Sequence, residues 1–409
     1  MNHINVTEKF SMSSTFGVGQ RRIAAFGSLP DITLSVHHDM GSVSYLWQEF
    51  QTHASTTLYQ TQQWCSAWQD TVGCERQIEP RILVAQDRGG NVVFILPLQI
   101  RKAQGVKILE WHGYPSVNYG YGLFDRTHLP QLATWFAENL SLVLDMAGLF
   151  DVAALMDMPD IINGEAHPFR SAFNIKSANR SHAMQLQPDF DALYASKRSP
   201  ETRHSSRKKD RKLTGLGEIK FFLPAAHAET HSILDTMFVQ KTKQLAETGV
   251  HGVFGKGEMD FIHRLASESI NGKPMLLPFT LMCNGETVAV ILGAQALDTC
   301  WLLISSMGFG KARKYSPGDY VLRHVIEHCC KEDYSRIDFS SGDATYKSQW
   351  AEETIQLYCT LRAKNLKGLF WVIAATCRLL LKRHIKQTPA VWELTIAARR
   401  FFAGRKTGI

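Results

Sequence analysis

Apolar and polar positions along this chain follow two periods, and one succession of the two occurs twice. Arg81-Ile-Leu-Val-Ala-Gln86, the turn Asp87-Arg-Gly-Gly90 and Asn91-Val-Val-Phe-Ile-Leu-Pro-Leu98 read as a β-hairpin, because two apolar runs flank residues that favour chain reversal. Pro278-Phe-Thr-Leu-Met-Cys283, the turn Asn284-Gly285 and Glu286-Thr-Val-Ala-Val-Ile-Leu292 read as a second hairpin. A further apolar strand follows each, Val106 to Trp111 and Cys300 to Ser305. Then comes a segment of helical period, at 130–146 and 319–331, and a closing strand, at 151–156 and 336–340. Duplication of one helix-plus-sheet unit accounts for this order. The expected fold class is therefore α+β (mixed α/β), with two tandem copies.

The second copy ends in the stretch richest in chemistry. Ser316 stands where a helix N-cap would, Pro317 at the first helical position, and Asp319 where the acid of a capping box would sit. Val321, Leu322, Val325, Ile326 and Cys329 then recur at helical spacing, so one face of this helix packs inward. Free backbone N–H groups at a helix start favour negative charge, and Lys311, Arg313 and Lys314 precede it. Taken alone, these residues fit an ordinary capped helix after a basic loop equally well. Beyond the helix, Asp338-Phe-Ser-Ser-Gly-Asp-Ala-Thr-Tyr-Lys-Ser-Gln-Trp350 reads as a strand running into a glycine-containing loop that presents Tyr346 and Lys347.

Composition narrows the function classes. A chain of 409 residues has room for two domains with full cores. Eight cysteines, none in a C-x-x-C pair, give neither a disulfide framework nor a zinc signature. Cys329-Cys330 read as core, and a reducing, cytoplasmic compartment is the default. The sixteen histidines show no metal-ligand spacing, so no metal is expected, and His37-His38 and His251 read as surface or loop residues. There is no H-E-x-x-H, P-loop or G-x-S-x-G, and Gly17-Val-Gly19 and Gly308-Phe-Gly310 are too short for a dinucleotide fingerprint.

Charge changes the picture in two places. The net charge of +7 fits anionic ligands, and much of it lies in the run from Lys197 to Lys212. That run is either a solvated helix between the copies or a phosphate-facing surface. No aromatic residues interleave with it, which argues against a single-strand nucleic-acid platform, and no DNA partner is expected. Past residue 365, Leu369-Phe-Trp-Val-Ile-Ala-Ala375 is apolar over about half the length a bilayer span requires. A second helical segment runs from about 390 to 403. These helices either cover an apolar face of the second copy or lie as a basic amphipathic anchor on an anionic membrane. The first thirty residues, with Arg21-Arg22 and no apolar core of signal-peptide length, read as a loosely ordered lead-in.

Four landmarks in order resemble the GNAT-type acyltransferases of the CelD (cellulose biosynthesis protein) branch, akin to the FemAB-like transferases. They are Tyr59-Gln60-Thr61 with Trp64 and Trp68; Leu96-Pro97-Leu98 on a strand; the basic run ahead of Leu213 and Gly215; and Ser316-Pro317-Gly318 with Asp338-Phe339, Gly342, Tyr346-Lys347 and Trp350. They span roughly residues 55–360. The resemblance implies two acyl-CoA N-acyltransferase units in one chain and an acyl-coenzyme A donor, acetyl-CoA in the simplest case. The usual Arg/Gln-x-x-Gly-x-Gly/Ala loop is absent, which leaves the pyrophosphate contacts open.

On that reading the chain divides into a lead-in (1–30), a first unit (31–185), a basic linker helix region (186–215), a second unit with the donor site (216–365) and C-terminal helices (366–409). Lys311, Arg313, Lys314, Ser316 and Gly318 are the donor-binding candidates. Lys347 is the candidate for oxyanion stabilisation, as the FemAB-like relatives imply. Tyr346 either protonates the leaving thiolate or packs as an aromatic. Asp343 is the base candidate, with Asp338 on the strand capping or orienting. Tyr119 and Tyr121 form either an acceptor rim or a loop packed by its own tyrosines, and Arg203, Arg207 and Lys208 would face an anionic acceptor. The implied reaction is acylation of a sugar or glycan precursor in envelope or exopolysaccharide metabolism. The rivals are aminoacyl transfer from charged tRNA and a non-catalytic, membrane-peripheral part of a polysaccharide-synthesis complex.

Overall fold

In the computed structural model, which describes residues 19–23, 31–250, 252–342, 344–388 and 391, the chain divides into two units. Unit 1 takes its described residues from 1–65, 77–175 and 358–374, and unit 2 from 66–76, 176–357 and 375–409.

In unit 1, strands β1 (Ile32–His37), β2 (Glu79–Gln86), β3 (Val92–Ala103) and β4 (Val106–Trp111) pair antiparallel in chain order. The β2–β3 reversal is held by Asp87, whose Oδ1 accepts from the N–H groups of Gly89 and Asn91 at 2.8 Å each. Helix α1 (Leu129–Asp145) buries Leu132, Trp135, Phe136, Leu140, Val143 and Leu144 at the three-to-four spacing of one face. It delivers the chain to β5 (Val152–Pro159), which runs parallel to β4 with Ile108 opposite Val152. Rings pack the core: Phe136 lies 5.0 Å from Phe94 and 4.6 Å from Phe169, centroid to centroid. Each fully buried side chain of this size contributes about 1.5–3 kcal/mol.

Unit 2 repeats the succession. Its elements are β6 (Ile175–Gln185), α2 (Phe190–Lys197), α3 (Pro200–Thr214), α4 (His227–Glu247), α5 (Lys256–Leu265), β7 (Leu276–Cys283), β8 (Glu286–Ala296), β9 (Thr299–Met307), α6 (Pro317–Lys331), β10 (Arg336–Ser341) and α7 (Thr345–Trp350). Strands β7, β8 and β9 form an antiparallel meander, and Asn284 and Gly285 at φ 52° and 80° supply the positive-φ pair its first turn requires. After α6, β10 runs parallel to β9, and β6 borders β10 on its other edge, antiparallel. Val321, Leu322, Val325, Ile326, Cys329 and Cys330 of α6 are buried in the unit 2 core, so the adjacent cysteines are packing residues.

The basic run forms α3, capped by Ser199 Oγ on the Thr202 N–H at 3.2 Å with Pro200 at the first helical position. It is fastened to α6. The Arg323 guanidinium donates to Asp210 at 2.6 and 3.0 Å and to Asp319 at 3.2 Å, and Ser206 donates to Asp319 at 3.4 Å. This clamp places one end of the basic run beside the start of α6. Helix α8 (Leu366–Gln387) closes the described chain, and the helical segment expected at about 390–403 lies outside the described residues, apart from Val391.

Candidate active site

The two parallel strands of unit 2 diverge. Their pairing covers Thr299–Trp301 against Arg336–Asp338 and goes no further among the described residues. The register between β8 and β9 shifts beside Leu303, where one extra residue of β9 is accommodated as a bulge. Beyond it, Gly308 N–H donates to Val288 O at 2.9 Å, which fixes the alternation of this strand. The carbonyls of Ser305 and Met307 therefore point away from β8, toward the gap. Side chains of α4 meet them: Lys241 Nζ donates to Ser305 O at 2.9 Å and Gln244 Nε2 to Met307 O at 3.2 Å.

Two titratable side chains converge on Ser305. Lys241 sits there with its pKa pushed below the usual lysine range by burial. Tyr346, entering from α7, hydrogen-bonds the Ser305 side chain, and burial raises its phenol above the ordinary tyrosine range. It thus stays protonated and able to donate at neutral pH. At the far end of β9, Gly318 at the second residue of α6 lies against Met307, where a Cβ would meet Met307 Sδ at 3.0 Å. The gap is therefore bounded by a bulged strand edge, a partly buried proton donor, a partly buried amine and a helix start.

Residues 200–348 match the family model of the acetyltransferase (GNAT) domain. That stretch is an acyltransferase domain of the GNAT class. It lies wholly inside unit 2 and contains the diverging strands, Lys241, Ser305, Gly318 and Tyr346. No match was found among curated proteins. Among solved structures, the C-terminal domain (DUF2156) of a putative lysylphosphatidylglycerol synthetase from Agrobacterium fabrum is similar at TM-score 0.48 and 11% identity, covering 85% of this chain and 96% of that one. FemX is similar at TM-score 0.46 and 11% identity (83% and 99% covered), and a tandem GNAT protein from the clavulanic acid biosynthesis pathway at 0.40 and 8% (81% and 99%). Likeness at this level carries no inference about chemistry.

The GNAT domain departs from the expected helix start. Ser316 adopts a left-handed conformation, φ 57° and ψ 55°, and its side chain caps nothing; Oγ instead lies 3.2 Å from Lys209 Nζ. Asp319 is not a capping-box acid, because its carboxylate is engaged by Arg323 and Ser206. Of the basic residues ahead of α6, Arg313 is held by a two-pronged pair with Glu247 at 2.8 and 3.1 Å, Lys314 lies over the Tyr315 ring, and Lys311 is exposed. Lys209, from the basic run, is the cation that reaches Ser316.

Lys347 is buried, and its ammonium donates to Ser341 O at 2.7 Å and Ser340 O at 3.2 Å, bracing the turn that carries Tyr346. Asp338 is buried too and orients the same turn by accepting from Ser340 N–H at 2.7 Å. Asp343 lies outside the described residues, as does His251. On α3, Arg207 and Lys208 are exposed and Arg203 is half-buried, with no hydrogen-bond partner for its Nε. Lys241 is absent from the sequence-derived candidates, yet it had a signal. It continues the series Leu234, Met237, Phe238 at helical spacing, so a lysine stands on the apolar face of α4.

Unit 1 has the same strand divergence but fills it. Its parallel pairing covers only Ile108–Leu109 against Val152–Ala153. The segment 118–122 lies beside β5, with Gly120 N–H donating to Asp157 O at 3.0 Å. A Cβ at Gly120 would sit 2.3 Å from both Met156 O and the Trp111 ring. Tyr119 and Tyr121 are consequently core residues, 1% and 0% exposed, and not an acceptor rim. Tyr121 packs edge-on against Phe124 and His167.

Proposed function

We propose that the protein transfers an acyl group, acetyl in the simplest case, from acyl-coenzyme A to a hydroxyl or amine of a sugar or glycan precursor in the cytoplasm. The observation that carries this reading is the divergence of β9 and β10 inside the matched domain. A diverging pair leaves main-chain groups of one strand without a neighbouring strand, and an extended donor arm with amide groups can take the place of the missing strand. Ser305 and Met307 would hold that arm, Gly318 would admit it next to Met307, and Lys209 with Lys311 would meet its phosphates. The donor supplies an activated carbonyl and a thiolate leaving group.

The rest is work for side chains. Main-chain N–H groups of β9 past the bulge polarise the carbonyl that the acceptor attacks. As the new C–O or C–N bond forms and the C–S bond breaks, the Tyr346 phenol donates its proton to the departing sulfur. Lys241 adds positive charge at Ser305, where negative charge develops. Lys347 and Asp338 hold the Tyr346 turn in place and act through it. Asp343 remains the candidate to accept the acceptor's proton. The sugar acceptor rests on the resemblance to the CelD branch, and Arg203, Arg207 and Lys208 would recognise its anionic part.

A second reading has one observation in its favour: α3 exposes Arg207, Lys208, Arg211 and Lys212 together, a cationic face that charged tRNA could use. Release of free thiol from acetyl-CoA with amino-sugar and nucleotide-sugar acceptors, against transfer from aminoacyl-tRNA, decides between them. Thiol release that depends on a sugar acceptor supports the proposal; transfer from charged tRNA with no thiol release overturns it.

A further inference from the structure

Helix α8 wears its apolar stripe on the outside. Leu366, Leu369, Phe370, Ile373, Leu380 and Leu381 are all exposed, Leu366 and Phe370 by more than 70%. At 100° per residue these six side chains fall within an arc of about 120°, with the exposed Cys377 inside it. The opposite side is the packed one. Ala375 is buried there, and at Gly368 a Cβ would sit 2.0 Å from Asp151 O, so the helix approaches its support too closely for any side chain. A soluble surface helix shows the reverse arrangement, polar side out. Along the axis the stripe runs from 366 to 381, roughly 20 Å at 1.5 Å per residue.

The charge on this helix is of one sign. The segment Leu366–Gln387 contains Lys367, Arg378, Lys382, Arg383 and Lys386 and no acidic residue. Lys367 and Arg378 lie just past one edge of the stripe and Arg383 just past the other. No described helix is long and apolar enough to cross a membrane. An apolar ridge bordered by cations on an otherwise supported helix matches a surface that is apolar inside and anionic at its boundary. We propose that α8 docks this protein on an anionic lipid bilayer, the stripe entering the acyl-chain boundary and the flanking cations meeting phosphate headgroups. The surface is distinct from the acyl-transfer groups on α4, β9 and α7, and the proposal stands whether or not the sugar-acceptor reading holds.

The test is co-sedimentation of the full chain with vesicles of phosphatidylcholine alone or mixed with phosphatidylglycerol, at low and high salt, alongside the protein's mass in solution. Binding is expected to the mixed vesicles, weakening as salt rises. Removing one flanking cation should reduce the partition coefficient about fivefold, equivalent to roughly 1 kcal/mol per charge at the surface. Phe370→Glu with Ile373→Glu, at exposed positions whose change leaves the core intact, should abolish it with an unchanged melting temperature. Three results would overturn the proposal: no binding to mixed vesicles, equal binding to neutral ones, or a dimer that the same double variant dissociates, which would make a second copy the occupant. Covering of the stripe by residues 392–409 would show as no binding by the full chain and binding only after their removal, and that too overturns it.

Discussion

In the proposed reaction Tyr346 is the proton donor, since burial raises its phenol above the ordinary tyrosine range. Tyr346→Phe should lower turnover about 100-fold while leaving donor affinity within about twofold, the signature of an interaction made only in the transition state. The wild-type rate should hold through neutral pH and fall only above the ordinary tyrosine range, since the folded phenol loses its proton later than a free one. Steady-state kinetics across pH checks both. His167 makes a second prediction. Its Nδ1 accepts from Phe169 N–H at 2.9 Å and Nε2 lies 3.3 Å from Gly120 O, so it is buried neutral with its pKa lowered to about 3. The unfolded chain takes up that proton near pH 6.5 and the folded one does not. Stability is therefore present above pH 6.5 and is lost as pH falls toward 3, by about 1.4 kcal/mol per pH unit. Melting curves from pH 7 to 4 should fall at least this steeply, because His112 is buried with its pKa lowered to about 4 in the same way, and His167→Gln should reduce the slope even though the variant starts less stable.

At the scale of elements, the α3–α6 clamp holds the basic run beside the start of α6. Arg323→Met leaves Asp210 and Asp319 without their guanidinium and should cost about 3 kcal/mol in denaturant unfolding. Neutralising Arg207, Lys208 and Lys209 together should leave stability nearly unchanged and raise KM for donor or acceptor, a defect that shrinks as ionic strength rises. Wild-type KM at low salt would reduce α3 to a solvated helix. The elements themselves were legible in the sequence. Asn284-Gly285 can only reverse a hairpin, and the 321–329 series can only face inward. The helix start was not legible: Ser316 turns left-handed and its hydroxyl meets Lys209, which is distant in sequence. Tyr119 and Tyr121 were ambiguous for a similar reason, since a Tyr-Gly-Tyr-Gly loop looks the same whether a strand gap receives it or solvent does. Lys241 carried a usable signal, a charge on an apolar helical face, but its partner is a main-chain carbonyl and leaves no mark in composition.

For the whole molecule, the two units share one succession of elements, with α2 to α5 set between β6 and β7 in unit 2. Residues 118–122 lie beside β5 in unit 1, whereas in unit 2 the edge of β9 past its pairing with β10 is met by Lys241 and Tyr346. The proposed donor site is one per chain, with its phosphate end near Gly318. Calorimetric titration of acetyl-CoA into the wild-type protein, Gly318→Ala and Gly318→Asp tests this directly. The alanine form is the steric control, because only the flexible end of Met307 stands in its way. The account predicts one equivalent bound per chain, nearly unchanged affinity for Gly318→Ala, and at least tenfold weaker binding for Gly318→Asp, which sets a carboxylate where phosphate is expected. No binding, two equivalents per chain, or full affinity in Gly318→Asp would contradict it.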